Sequence, residues 1–101
     1  MKLIVLYPQP TDINKFESDY SDHLNFLHNK MKIPQDVKPY TVTKFLKTTE
    51  GSPPYYQMFS MPFSSLEELN ATMATSEMQE VASDAHRISS GGAPSIMIGE
   101  E

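Results

Sequence analysis

The chain has 101 residues, a formal net charge of −5 and no cysteine, with a pI near 5.1. That length suits one domain with a single core. An acidic chain without a Lys/Arg cluster argues against a phosphate-gripping surface for DNA or RNA, and the missing cysteines exclude disulfides, a thiolate nucleophile and a Cys-ligated metal. The longest apolar run, Leu3 to Tyr7, falls far short of the roughly 20 residues that span a bilayer. Lys2 and that run make no signal peptide, so the expectation is a soluble cytoplasmic protein without a nucleic-acid or membrane partner.

Leu3 to Tyr7 predicts a first strand, ended by Pro8-Gln9-Pro10. Ile13, Phe16, Tyr20, Leu24, Leu27 and Met31 then fall along one stripe of an amphipathic helix. His23 lies on the flank of that stripe, and of the three histidines it alone has an obvious reason to look inward. Pro34 cannot continue the helix and opens a loop. Val37 to Thr48, rich in Val, Thr, Tyr and Phe, predicts a long second strand; Thr49 to Pro54 is turn chemistry, and Tyr55 to Phe63 a third strand forming an antiparallel hairpin with the second.

Ser64 and Ser65 have Glu67 and Glu68 three residues on, the spacing of a reciprocal helix cap. Leu66, Leu69 and Met73 give a short stripe, and a second start at Ser76 leads through Met78, Val81, Ala82, Ala85 and Ile88 to Ser89-Ser90-Gly91-Gly92. This half is two helices or one bent helix. Ala93 to Ile98 predicts a last strand.

The order βαββαβ with short connections points to an α+β, ferredoxin-like fold, a four-stranded antiparallel sheet with its helices on one face. Strands one and three are apolar on both parities, with Tyr56 and Met58 opposite Tyr55, Phe59 and Met61. Helices cover only one face, so the other is expected to pack against a second copy as a two-fold homodimer.

Several of these stretches resemble the EthD-like proteins of the dimeric α+β barrel superfamily. The resemblance rests on Leu6-Tyr7-Pro8-Gln9-Pro10; on Phe16, Tyr20 and His23-Leu24; on Lys38-Pro39-Tyr40-Thr41-Val42; on Phe63-Ser64-Ser65-Leu66-Glu67; and on Ser76 to Asp84 before a Gly-Gly turn. It implies a dimeric α+β barrel with a pocket between helices and sheet near the histidine. Muconolactone-type isomerases are relatives that pair this histidine with a second one and a cysteine. The cysteine position falls at Met61 and the second histidine has no counterpart, so that mechanism does not carry across intact.

His23 is the candidate catalytic residue, a general acid or base at the border of an apolar pocket; the alternative is a half-buried histidine satisfied by a carbonyl or Tyr. Tyr20, one turn earlier, is a candidate substrate-binding hydroxyl or plain core packing. The resemblance adds Tyr40, expected to project toward the same cavity, and Asp84, which stands off its helix stripe where the family has an acid and is either a site carboxylate or an ion-pair partner. His23 and His28 lie about 140° apart around a helix and cannot chelate one ion, and Gly91-Gly92 follows a helix instead of opening one, so neither metal nor cofactor is expected. Two functions follow: a cofactor-free isomerase, dehydratase or decarboxylase acting on a hydrophobic or cyclic small molecule, or a non-catalytic small-molecule-binding or accessory protein of an oxygenase pathway.

Overall fold

Alternation decides the first strand, since in β1 (Lys2–Pro8) Leu3, Val5 and Tyr7 are buried while the residues between them are only half-covered. The computed structural model describes Met1–Glu101, and continues with α1 (Ile13–Met31), β2 (Thr41–Lys44), β3 (Tyr55–Pro62), α2 (Leu66–Met73), α3 (Ser76–Ile88) and β4 (Ser95–Gly99). The sheet runs β2-β3-β1-β4 with every neighbouring pair antiparallel, the ferredoxin-like arrangement. Leu3, Val5, Tyr7, Phe59 and Met61 on one face join Phe16, Tyr20 and Leu27 of α1 and Met78, Val81, Ala85 and Ile88 of α3 in one core.

The helices start where side chains can take up orphan N–H groups. Asp12 accepts from Lys15 N at 3.1 Å and Ser65 from Glu68 N at 3.0 Å. The third helix is capped by Thr75, one residue ahead of the expected Ser76, which accepts from Met78 N at 3.2 Å. Such caps stabilise by about 1 kcal/mol each. The second half is therefore two helices, broken between Ala74 and Thr75.

Two expectations are corrected by hydrogen bonding. The second strand covers Thr41–Lys44, not Val37 to Thr48. Its ladder runs out one step beyond, where Phe45 N donates to Tyr56 O at 3.0 Å, because Pro53 and Pro54 beyond the start of β3 have no N–H to offer. The hairpin tip is instead closed by a Thr48–Gly51 bridge, with Gly51 at φ 105. Tyr56 likewise departs from strict parity: Tyr7 pairs with Gln57 but Pro8 with Tyr55, so Tyr56 is the extra residue of a bulge. The bulge turns its ring to the helix side, 5.5 Å from Phe16.

At one end of the sheet the loops after β1 and α3 meet. Thr11 N donates to Ser90 Oγ at 3.0 Å, and a Cβ on Gly91 would stand 1.8 Å from Gln9 O. Gln9 Nε2 donates in turn to Pro53 O and Tyr55 O at 3.0 and 3.1 Å. The opposite face of the sheet, bearing Ile4, Leu6, Met58 and the exposed Met97, has no helix over it.

Candidate functional site

α1 and α3 lie side by side over the sheet, and their contact brings His23 and Asp84 together. His23 Nδ1 stands 2.8 Å from Asp84 Oδ2, while Arg87 Nε donates to Asp84 Oδ1, also at 2.8 Å. A carboxylate only accepts, so the contact places the proton of the neutral ring on Nδ1 and leaves Nε2 its lone pair. Nε2 has no hydrogen-bond partner within the chain. Burial pushes the His23 pKa below its ordinary value of 6.5 despite the pull of Asp84 in the other direction. Burial raises that of Asp84, but the hydrogen bonds from His23 and Arg87 outweigh it and hold the carboxyl below its usual 3.8. The pair at neutral pH is an uncharged imidazole on an ionised carboxylate.

His23, only 6% exposed, lines a cavity of about 40 Å³ together with Leu3, Val5 and Tyr7 of β1, Met73, and Met78 and Val81 of α3. His23 is the one non-hydrophobic residue in that lining. The exposed Ile96 of β4 also borders the space. Such a volume holds water molecules, whereas pockets for drug-sized ligands run to about 300–1,000 Å³.

Tyr20 packs against the other side of the His23 ring, with centroids 5.7 Å apart, and edge-on to Tyr7 at 5.6 Å. Its hydroxyl is buried without a hydrogen bond, and burial pushes its pKa far above the usual 10.0. Tyr40 does not reach the His23 cavity as expected. Its hydroxyl is 2.7 Å from His28 Nε2, while His28 Nδ1 lies 3.1 Å from Pro34 O. A carbonyl only accepts, so Nδ1 carries the proton and Nε2 accepts from Tyr40.

His23 is therefore not the only inward histidine, since His28 is 3% exposed. The cause is Lys32, left-handed at φ 57, which folds the chain back so that Ile33 N donates to His28 O at 2.8 Å. No glycine marks that turn, so the sequence carried no sign of it.

Tyr20 and Tyr40 share a second space, an open cleft of about 430 Å³ between α1 and the β2–β3 edge. Sequence reasoning missed its other polar members, Gln57, Lys44, Lys38, Ser21 and Glu17. Gln57 could have been found as the one amide on the buried parity of Phe59 and Met61. The four candidate residues thus divide, with His23 lining the small cavity and held by Asp84, and Tyr20 and Tyr40 beside the cleft.

No family model matches the sequence, and no curated protein does. Among solved structures, an ethyl tert-butyl ether D (EthD) family protein from Bacillus halodurans C-125 is 30% identical, with 99% of this chain and 96% of that one covered at a TM-score of 0.81. A dimeric ferredoxin-like protein of unknown function from Jannaschia sp. CCS1 aligns over 99% of this chain and 98% of its own at a TM-score of 0.70; at 11% identity it speaks for the fold alone.

Proposed function

The chain belongs to the EthD family, and from that membership and the His23–Asp84 pair we propose a cofactor-independent proton-transfer enzyme acting on a hydrophobic small molecule. The observation that carries this reading is the unpartnered Nε2 of His23, the one non-hydrophobic residue lining an apolar cavity, with the ring held through Nδ1 by Asp84. Nε2 takes a proton from carbon next to a carbonyl and can return it to another atom, which is the chemistry of an isomerase; returned to a departing hydroxide the same proton completes a dehydration, and a proton taken from a substrate hydroxyl or carboxyl group and returned to the carbon that loses carbon dioxide completes a decarboxylation. Asp84 positions the ring and stabilises the imidazolium as it forms, and Arg87 holds Asp84. Substrate entry requires the cavity to widen, and the flexible Met73 and Met78 in its wall are the side chains best able to give way.

A survey by native mass spectrometry and product analysis with lactones, quinones and polyketide-like acids tests the reading. Binding with turnover supports it. Binding without turnover supports the second reading, a binding or accessory protein. For any substrate so found, kcat/KM should rise with pH to a plateau, with a midpoint below 6.5, because burial keeps the base neutral. A midpoint above 6.5 would contradict His23 as the base. The same shift acts on stability. Above 6.5 the ring is neutral whether folded or unfolded, and as pH falls from there the unfolded chain takes up the proton first, so stability declines until the folded pKa is reached.

The functional unit we propose is a homodimer through the helix-free sheet face. Ile4, Leu6, Met58 and Met97 lie there without a helix above them, and the Jannaschia protein with this fold is dimeric. Light scattering should give about twice 11.4 kDa, and Met58→Lys should return the mass to that of one chain. A single-chain mass for the unaltered protein at micromolar concentration would overturn the proposal.

A further inference from the structure

Gln57 sits at 0% exposure on β3, and neither its amide nitrogen nor its amide oxygen has a hydrogen-bond partner. The Tyr20 hydroxyl lies beside it, near enough for the Gln57 amide to temper the rise of its pKa, yet without the geometry of a hydrogen bond. Buried polar atoms are nearly always satisfied, because an unmade hydrogen bond leaves the whole desolvation penalty standing. Three such atoms at one point, in a core whose other buried polar side chains, His23 and His28, are hydrogen-bonded, mark a place where something else supplies the partners.

The surroundings say what kind of molecule that is. Gln57 and Tyr20 belong to the lining of the 430 Å³ cleft, whose volume lies within the range of ligand pockets. Tyr40, Leu24 and Val42 give it an apolar side against which an aromatic ring can pack. Lys38 and Lys44 stand among the lining residues and Glu17 is the sole acid there, so the cleft is net positive in a chain of net charge −5. Lys44 pairs with Glu17 across from β2 to α1, and it is also the cross-strand partner of Gln57. That ion pair therefore forms a strap next to the buried amide, and a competing carboxylate on Lys44 would open it.

We propose that this cleft binds a small aromatic carboxylic acid carrying a distal hydroxyl or carbonyl, its carboxylate held by Lys38 and Lys44 and its distal oxygen by Gln57 and Tyr20. The site shares no lining residue with the His23 cavity and stands whether or not His23 is a base.

Titration of the whole chain by NMR and calorimetry with 4-hydroxybenzoate, benzoate and 4-hydroxybenzyl alcohol tests it. 4-Hydroxybenzoate should bind, with shifts at Tyr20, Tyr40 and Gln57. Loss of either the hydroxyl or the carboxylate should weaken binding by about tenfold or more, since a site with buried hydrogen-bonding groups rejects an analogue that leaves them unpaired. The carboxylate contribution should fade with added salt. Gln57→Leu should erase the preference for 4-hydroxybenzoate over benzoate while raising the melting temperature, because an unsatisfied amide is replaced by an apolar group of similar size. Equal affinity for the three probes, shifts confined to the His23 cavity, or a crystal structure in which one buried water satisfies Gln57 and no acid binds would each overturn the proposal. The comparison of probes needs only the unaltered protein, so it decides even if Gln57→Leu does not fold.

Discussion

In His23→Ala, turnover of whichever compound the survey identifies should fall by about 10²-fold or more, the usual contribution of a positioned general base. The variant also loses stability, because His23 is buried, packs against Tyr20 and supplies one of the two partners of Asp84; about 1–3 kcal/mol is the scale for a buried polar group left unmatched. Activity must therefore be read on the folded fraction. Asp84→Asn separates the two effects, since the amide fills the same space but can donate to Nδ1, turning the ring to the tautomer whose Nε2 carries the proton. It should cost a large part of the rate with a smaller change in melting temperature. Full turnover in both variants, measured on folded protein, would end the catalytic reading.

Gly91→Ala should be among the most destabilising single changes available, beyond about 3 kcal/mol if the chain folds at all. A methyl group there would stand 1.8 Å from the Gln9 carbonyl oxygen and 2.8 Å from its carbon, and both obstacles are backbone. Relief means separating the loop after α3 from the loop after β1, which also breaks the Thr11–Ser90 bond and shifts Gln9, whose amide holds Pro53 and Tyr55. Gly51→Ala is the control. Its φ of 105 is strained for alanine, but a Cβ there meets nothing within 4 Å, so its cost should stay near the 1–2 kcal/mol of a left-handed backbone. Thermal denaturation of the two variants compares them directly, and equal melting temperatures would contradict the packing argument.

Much of this was legible in the residues. The stripe from Ile13 to Met31 reads as a helix because its period holds for five turns, and the same count put His23 on the inward flank. Four strands and their succession along the chain followed from β-branched and apolar runs punctuated by Pro, Gly and Ser. What stayed hidden depends on a second segment. The length of β2 is set by where β3 stops offering N–H groups, which the Val and Thr content of β2 cannot express. The turn of Tyr56 to the helix side depends on a one-residue slip against β1. His28 is drawn inward by carbonyls beyond a left-handed lysine, and Tyr40 follows it. Asp84 was noticeable as an acid beside an apolar stripe, but its distance of 61 residues from His23 left the pairing itself to the fold.

The strand order has a consequence for how the molecule comes into being. Leu3 is paired on one side with Met61 and on the other with Ile98, so β1, one of the two inner strands of the sheet, is the first of the four strands to be synthesised and the last to be fully flanked. Until the later segments emerge, its apolar side chains have only α1 to lean on. The helix and the β2–β3 hairpin can form from neighbouring residues, yet closing β1 between its two distant partners must wait and must overcome the entropy of two long loops. Folding should accordingly be slower than for a helical bundle of equal length, and the interval before β4 docks is when this chain is most exposed to association with others of its kind.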